Sequence, residues 1–581
     1  MYKSKREKYE VLRAQLEMER STFLAHWREL GDYILPRRGR FEVTDVNRGD
    51  KRSTKIIDST GTFAAGTLRS GMMSGVTSPA RPWFKLTTPD PDLAEFGEVK
   101  LWLEKVSQRM GTSFLRSNCY NTLPTVYGDL GTFATGAMLI EEDFSGEVFS
   151  TMSMPIGSYM LGVDERGRVN TFFREFRMTV RQLVSKFGQK INGKIDWSNF
   201  SDYVKNQWDM SNYQAWVNVC HVISPNDDYD HDKIHAKNKK FSSCYYEKGS
   251  VTNSGSSYMA GPYDDRFLRE SGYDYFPVLA PRWEVTGEDI YGTNCPGMVA
   301  LGDIKALQTG EKRIAQAIEK MINPPLKGPS ALRTQKVSLL PGDVTYTDER
   351  SDSRGLSPVH EVNFRIQEAE MKQDQMRRRV QRAFYEDLFL MLASSDRRQI
   401  TAREIDERHE EKLLALGPVL EQLNQDLLDP LIDIVFDFHV RQGLIPPPPQ
   451  ELQGMDLKVE YISIMAQAQK LVGISGIERF AGFVGQVAQV NPEIMDKINS
   501  DQMIDVYADI VSISPSIVRT DEDVASIRQQ RQAQVQAQQK AAMIQQGAAA
   551  AKDLSSADME GDNALTRMLQ GAKSGSLVEG A

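Results

Sequence analysis

The sequence predicts an α+β fold in which two long helices form a stalk beside a β-rich lobe. Apolar residues with helical spacing predict the two helices at 297–322 and 364–392. At ~1.5 Å rise per residue each helix would span roughly 40 Å, which is long for one globular core. Over 137–281, short apolar runs between turn signals predict mainly strands.

The first long helix should end at Asn323-Pro-Pro, because proline has no N–H and clashes with the preceding turn. In both helices apolar residues recur at three- and four-residue spacing, with Glu311 as one missed position. These apolar residues are Ile304, Leu307, Ile314, Ile318 and Met321 in the first helix, and Met371, Met376, Val380, Phe384 and Leu388 in the second.

The segment between the two helices, 324–362, is predicted to form a small hairpin-like unit. Its apolar runs at 337–340 and 344–346 flank a Pro341-Gly-Asp turn. Two long helices joined at their far ends by such an insert would form a stalk.

A polar loop is predicted at 393–400, after the second helix. Thr401-Ala-Arg-Glu then has the capping-box spacing that starts a new helix. That helix should be interrupted or kinked at Gly417-Pro418 and Asp429-Pro430. Gly443 and the proline run after it should end it.

The first 35 residues predict one or two helices that end at Pro36, and Arg37-Arg38-Gly-Arg40 follows. For this basic run a solvated turn is favoured over a nucleic-acid patch. The run 61–67 is similar to a phosphate-binding loop but lacks the lysine that reaches the terminal phosphates. We therefore predict a helix with a small-residue face that lets another helix pack closely. That face comprises Gly61, Ala65, Gly66, Ser70, Gly71 and Gly75.

Other elements follow from the same patterns. Helices are predicted at 101–115, 180–187 and 522–551, shorter ones over 450–520, and a helix or turn at 127–136. The predicted strands are 137–140, 147–152, 159–163, 169–176, 216–223, 242–246 and 275–279. The alanine- and glutamine-rich helix 522–551 has too thin an apolar stripe to be stable alone, so it should pack around an axis. Residues 552–581 should be mobile.

Composition restricts the class of protein. At 581 residues the chain should hold two or more domains, and its 40% hydrophobic and 26% charged residues are ordinary for a soluble protein. No apolar run reaches the ~18 residues of a membrane span, and the charged N-terminus is unlike a secretion signal. We therefore expect no membrane contact and synthesis in the cytoplasm.

The cysteine and histidine residues give no sign of a metal centre. The four cysteines have no short paired spacing, so reduced, buried thiols are favoured over disulfides or zinc ligands. His231 and His235 have i, i+4 spacing, but their polar, lysine-rich surroundings favour a solvated loop. We predict no metal, no cofactor and no catalytic residues.

The net charge of −9 bears on nucleic-acid binding. A protein that grips DNA tightly through its phosphates should be basic or carry a marked basic patch. DNA contact, if present, should therefore be loose and non-specific.

Many segments in one order resemble the head-to-tail connector, or portal, proteins of short-tailed bacteriophages, over roughly residues 10–445. They are Tyr33-Ile-Leu-Pro-Arg-Arg-Gly-Arg-Phe41, Lys55-Ile-Ile-Asp-Ser-Thr-Gly-Thr62, Gly71-Met-Met-Ser-Gly-Val-Thr-Ser-Pro-Ala-Arg-Pro-Trp-Phe84, Tyr127-Gly-Asp-Leu-Gly131, Ala137-Met-Leu-Ile-Glu141, 297–307, Glu311-Lys-Arg313, Asn323-Pro-Pro-Leu326 and Thr401-Ala-Arg-Glu-Ile405.

The resemblance implies a portal-type ring subunit with a defined division into domains. The implied domains are a wing at 1–295, a first stem helix at 296–323, a clip at 324–362, a second stem helix at 363–392, a tunnel loop with wing-crossing helices at 393–445, a crown at 446–520 and a C-terminal helical barrel or mobile tail at 521–581.

The resemblance also implies partners and a location. The chain would form a homo-oligomer, a dodecamer, at one vertex of the phage head after assembly in the host cytoplasm. The ring would be the channel for double-stranded DNA during packaging and ejection. Its partners would be non-specific double-stranded DNA, the terminase, a tail adaptor, and the capsid and scaffolding proteins.

Two sets of residues are candidates for these contacts. The DNA-channel candidates are Arg397 and Arg398 in the polar loop and Arg377, Arg378, Arg379 and Arg382 in the second stem helix. The candidates for docking at the clip are Arg333, Lys336 and Tyr346.

Alternatives remain open for both the residues and the function. The stem arginines could pair with Glu368, Asp374 or Glu386, and the loop arginines could lie in water or be capped by Asp396 and Glu404. The chain could also be another structural virion protein of the core or scaffold. A nucleotide-driven packaging enzyme is disfavoured, since it would need a complete phosphate-binding loop.

Overall fold

The computed structural model describes two compact units, residues 1–498 and 499–581. The described residues are 4–41, 49, 51–90, 93, 97–191, 193–230, 232–233, 235–248, 266–287, 289–328, 357–359, 365–394, 416–452, 457–462, 480–487, 499, 502–504 and 521–555.

The N-terminal part is mainly helical. Its helices are α1 Lys5–Tyr33, α2 Thr60–Val76, α3 Gly97–Arg116 and α4 Cys119–Phe133. One continuous helix, capped by Ser4, occupies the region predicted as one or two helices. The helices predicted within 58–84 and at 101–115 are confirmed.

The β-rich region is also confirmed, and it holds three strands beyond those predicted, at 190–191, 194–195 and 269–273. The described strands are β1 Phe84–Thr87, β2 Met138–Asp143, β3 Val148–Ser153, β4 Tyr159–Val163, β5 Val169–Thr179, β6 Lys190–Ile191, β7 Lys194–Ile195, β8 Trp216–Pro225, β9 Phe241–Glu247, β10 Arg269–Tyr273, β11 Val278–Leu279, β12 Leu326–Lys327, β13 Ser357–Pro358 and β14 Lys458–Tyr461.

Two antiparallel sheets dominate this region. One has five strands in the order β10-β9-β8-β5-β4, and the other has three in the order β11-β2-β3. Between β5 and β8 the chain forms α5 Val180–Phe187, the β6–β7 hairpin and α6 Asp202–Asp209. Thr179 and Gln182 form a capping box at the start of α5, which explains why that helix begins where the sequence predicts.

The first long helix is confirmed as α7 Pro296–Ile322. The second is not continuous. It divides into α8 Ile366–Ala383 and α9 Glu386–Ser394 at Tyr385, whose φ of 55° is rare for a residue with a side chain. After the break, Leu388 and Phe389 lie buried against α2. The break at Tyr385 is therefore accompanied by burial of Leu388 and Phe389.

The prediction that small residues of α2 allow close packing is confirmed for Gly61 and Gly71 and is wrong for Gly66 and Ser70. A Cβ at Gly61 would crowd Ile304 of α7, and a Cβ at Gly71 would overlap the ring of Phe389. Gly66 has open space beside it, and Ser70 is exposed. At ~3.6 residues per turn these two lie on the opposite side of the helix from Gly61.

The helix predicted to follow the polar loop is described from residue 416 onwards. Residues 416–423 are α-helical. A π-helical turn follows at Asn424–Leu428, and the helix continues as α10 Asp429–Arg441. The interruption predicted at Asp429-Pro430 is therefore present as this turn, since Pro430 cannot donate to the carbonyl four residues earlier. Gly443, with φ of 67°, follows the helix end as predicted.

The π-helical turn places Asp426 opposite a buried arginine. Arg282 Nε donates to Asp426 Oδ2 at 3.0 Å, and Arg282 Nη2 donates to Oδ1 at 3.1 Å. Only 3% of the Arg282 side chain and 11% of the Asp426 side chain are exposed. This ion pair joins the helix of residues 416–441 to the segment that leads into α7.

The basic run after α1 is not simply a solvated turn. Arg38 Nε donates to Asp129 Oδ1 at 2.7 Å, and Arg38 Nη2 donates to Met154 O at 3.1 Å. Asp129 is buried in α4. The prediction of a solvated turn is therefore wrong for Arg38, because its guanidinium binds the carboxylate of Asp129, which is distant in the sequence.

The main core lies where α1, α2, α4 and the first half of α7 meet the three-stranded sheet. Trp27 is fully buried there, and its Nε1 donates to Phe133 O at 3.2 Å. The four cysteines are buried free thiols, as predicted.

Three regions later in the sequence supply the remaining described elements. β12 pairs with β13 and closes the base of the insert, while the predicted runs 337–340 and 344–346 lie outside the described residues. β14, within a region predicted to be helical, pairs with β1. In the second unit, α11 Asp521–Ser555 confirms the helix predicted at 522–551.

Two absences concern only the described part of the chain. No helix there has the length and apolar character needed to cross a bilayer. No three histidine, cysteine or carboxylate side chains there are grouped to hold a metal, and His231 lies outside the described residues.

Candidate functional site

The candidate site is the pair of stem helices α7 and α8, which pack against each other. In α7, buried residues occur up to Gln308, and none of the residues from 309 to 322 is buried. Ile322 at the end of α7 is 79% exposed. The second half of α7 therefore lies outside the main core, and among the described elements it packs along α8.

Gly310 leaves the space that the Gln373 side chain occupies between the stem helices. A Cβ at this position would overlap the side-chain amide of Gln373 in α8, which is buried. Met376 and Val380 continue the buried face of α8. The two helices are thereby held in a fixed register.

Gln308 ties the stem to the start of α2. Its Oε1 accepts hydrogen bonds from Ile57 N at 2.6 Å and Asp58 N at 2.7 Å, and its Nε2 donates to Asp58 O at 2.7 Å. Asp58 Oδ1 in turn accepts from Thr60 N at 2.8 Å, in the first turn of α2. The loop before α2 is thus fixed by one buried amide.

Arg377 of α8 completes this polar cluster by contacting three carboxylates. Its Nε donates to Asp58 Oδ2 at 2.9 Å, its Nη1 to Asp374 Oδ1 at 2.7 Å, and its Nη2 to Glu311 Oε1 at 2.5 Å. The hydrogen bond to Asp58 raises the pKa of Arg377. Burial opposes the charge of Asp58, but hydrogen bonds from Thr60 and Arg377 outweigh it and lower the pKa of that carboxyl.

These contacts distinguish the four stem arginines. Arg377 joins three elements, and its pairing with Asp374 is one that the sequence allowed. Arg379 Nη2 lies 3.0 Å from Asp303 Oδ1 of α7 but is mostly exposed. Arg378 and Arg382 are exposed, and neither makes an ion pair with another described residue.

Sequence reasoning missed three cations on α7. Lys312, Arg313 and Lys320 are exposed, and no ion pair joins them to the described part of the chain. The signal was present in the spacing, since Arg313 and Lys320 are seven residues apart and share one face of a helix. With Arg378 and Arg382 they form a set of five exposed cations, here called the stem cations.

The remaining candidates cannot be placed in the structure. Arg397 and Arg398 of the polar loop and Arg333, Lys336 and Tyr346 of the insert all lie outside the described residues. The capping alternatives, Asp396 and Glu404, lie outside them as well.

Comparison with known proteins gives consistent results. The model of the family described as bacteriophage head to tail connecting protein matches residues 6–518. The portal protein of Salmonella phage epsilon15 is 48% identical over 559 residues, which cover 96% of this chain and 97% of that protein. A probable portal protein of Bordetella phage BPP-1 is 44% identical over 552 residues, 95% of this chain and 96% of that protein. The chain therefore belongs to the bacteriophage head to tail connecting protein family.

Proposed function

We propose that this chain is the portal protein of a phage, and that its copies form a closed ring, a dodecamer, at one vertex of the head. The projecting half of α7 supports this, since Ile314, Ile318, Met321 and Ile322 give it apolar side chains without a core to bury them. Exposed apolar surface of this kind marks a contact with another protein. A ring requires a heterologous contact, in which each copy uses two different faces.

The proposed ring conducts double-stranded DNA during packaging and ejection. The stem cations are the observation that carries this proposal, because each would be repeated around the ring as a belt of positive charge. Such belts attract phosphates without reading bases. The net charge of −9 on the whole chain keeps the attraction weak, so DNA can pass.

Other regions would serve assembly. The insert 324–362, with Arg333, Lys336 and Tyr346, would dock the terminase and later the tail adaptor, and Arg397 and Arg398 would narrow the channel. Residues 1–295 would face the capsid and scaffolding proteins. Residues 446–520 would form a crown, and α11 with the tail would form a helical barrel. Assembly would take place in the host cytoplasm, and the role is geometric and electrostatic, without covalent chemistry.

Removing stem cations should lower DNA packaging or retention without preventing ring assembly. The variant Arg378→Ala with Arg382→Ala removes two cations that pair with no described carboxylate, so folding should be unaffected. Packaged DNA is measured as nuclease-protected genome per head, at low and high salt. We expect a loss that grows with ionic strength, because screening weakens the remaining phosphate contacts.

A matched variant separates this effect from a general loss of charge. Lys105→Ala removes an exposed cation of α3, outside the stem, and should leave packaging at the level of the unmodified protein. Equal DNA content in the stem variant and the Lys105 variant at both salt concentrations would show that the stem cations do not contact DNA.

A further inference from the structure

The lobe formed by residues 176–216 differs in charge from the rest of the chain. It comprises the end of β5, α5, the β6–β7 hairpin, α6 and the start of β8, and its apolar side chains join a second hydrophobic core with β8, β9 and Leu268. It holds six cations and three carboxylates, a net charge of +3, in a chain whose net charge is −9. The six cations are Arg177, Arg181, Lys186, Lys190, Lys194 and Lys205.

Large apolar side chains are exposed at one edge of this lobe. Met210 is 75% exposed, Tyr213 37% and Trp216 44%, all within seven residues of the chain. We call these three residues the lobe patch. Arg181 N donates to Tyr213 O at 3.1 Å, and the guanidinium carbon of Arg177 lies 5.9 Å from the centre of the Trp216 ring. The guanidinium of Arg177 and the backbone of Arg181 therefore lie beside the patch.

The turn that carries the lobe patch is held rigidly. Met210 N donates to Asn206 O at 3.0 Å, Ser211 N to Trp208 O at 2.9 Å, and Asn212 N to Gln207 O at 2.8 Å. Ser211 has φ of 60°, an unfavourable conformation for a residue with a side chain. A pre-formed turn lowers the entropy cost of binding, which suits a docking surface.

We propose that the lobe patch docks a segment of another head-assembly protein in which carboxylates flank an aliphatic or aromatic anchor. The proposal rests on the proposed portal function. The anchor would pack against Met210, Tyr213 and Trp216. The carboxylates would pair with Arg177, Arg181 and Lys205, none of which makes an ion pair within the described residues.

The arrangement of the aromatic side chains near the lobe patch favours a protein ligand over a nucleic acid. The edge of one ring meets the face of another in the Trp208–Tyr213 pair, whose centres lie 4.8 Å apart at 66°. Arg177 approaches the face of Trp216. Nucleic-acid bases need open, parallel aromatic faces on which to stack. The lobe patch instead offers ring edges and a flexible methionine, which suit an apolar side chain.

Binding of purified assembly proteins to the purified ring tests the proposal. The probes are the capsid protein and the scaffolding protein of the same phage, titrated separately. One variant, Met210→Ser with Tyr213→Ser, removes the anchors, and another, Arg181→Glu with Lys205→Glu, reverses the charge. We expect one probe to bind the unmodified ring, and each variant to weaken that binding by at least about tenfold, roughly 1.4 kcal/mol.

Two control variants remove similar groups elsewhere. Phe144→Ser removes a side chain that is 81% exposed at the turn between β2 and β3, and Lys105→Glu reverses an exposed charge on α3. Both should bind the probe as the unmodified ring does. High salt should weaken binding to the unmodified ring more than to the charge-reversed ring.

Four results would overturn the proposal. They are unchanged binding by the lobe variants, binding of neither probe to intact rings, equal losses in the control variants, and failure of the lobe variants to form rings. The last would make the patch an interface between copies of this chain. Failure of the portal function itself is distinguishable, because the unmodified protein would then form no ring.

Discussion

Replacing Asp426 with alanine should destabilise the chain by about 3–5 kcal/mol, because the charge of Arg282 would remain buried without a partner. Only 3% of the Arg282 side chain is exposed, and both of its hydrogen bonds to Asp426 would be lost. The measurement is urea-induced unfolding followed by circular dichroism. The midpoint should fall, with the helix of residues 416–441 lost at a lower urea concentration.

Asp437→Ala is the matched control for this change. Asp437 pairs with Arg441 four residues later in α10, but both side chains reach solvent, with 45% of Asp437 and 34% of Arg441 exposed. Exposed pairs of this kind contribute about 0–1 kcal/mol. The double variant Arg282→Met with Asp426→Leu should recover most of the lost stability, since an apolar pair can replace a buried ion pair. Equal midpoints for Asp426→Ala and Asp437→Ala would contradict the role given to the buried pair.

Replacing Arg377 with alanine should destabilise the stem by about 2–4 kcal/mol, because three carboxylates lose a shared partner. The side chain of Asp58 is only 8% exposed, so its carboxylate would suffer most. The range allows for the 34% exposure of Arg377, which lets solvent weaken the interaction. Hydrogen exchange at the start of α2 and in α8 should accelerate, and the urea midpoint should fall.

The effect should be specific to the planar guanidinium of Arg377. Arg377→Lys should recover little of the lost stability, since a single ammonium group lacks the planar set of donors that contacts all three carboxylates. Arg379→Ala removes an arginine that is 63% exposed and has one described partner, so it should cost less than about 1 kcal/mol. If Arg377→Ala is no more destabilising than Arg379→Ala, Arg377 does not join α2 to the stem.

Local sequence patterns predicted most of the elements. α5 and α7 were located to within a residue, because each has a strong apolar period and a clear stop or capping signal. The strands of the five-stranded sheet were also predicted, apart from β10. Its sequence Arg-Glu-Ser-Gly-Tyr has no apolar alternation, and it is a strand because it pairs with β9 at the edge of the sheet.

The failures have a common physical cause, which is contact between distant parts of the chain. The break at Tyr385 accompanies packing of Phe389 against Gly71, more than 300 residues earlier. Arg38 is engaged by Asp129, and no local pattern specifies that partner. The same limit applies to the stem, where the sequence named Arg377 but not Asp58 or Glu311 as its partners.

The sequence shows which residues of the stem are charged, but it does not show which of them are exposed and which are paired. Most arginines and lysines of α7 and α8 are exposed, whereas Arg377 is partly buried, and this difference follows from the packing of the two helices. Helical spacing could have indicated Arg313 and Lys320, because both follow from the predicted boundaries of α7.

Copies of this chain should close into a ring around a channel. The most direct measurement is the molar mass of the purified protein at native salt, combined with negative-stain images of the same sample. We expect a single species of high mass whose end-on images show a closed ring with a central hole. A monodisperse monomer, or an assembly without a hole, would contradict the claim.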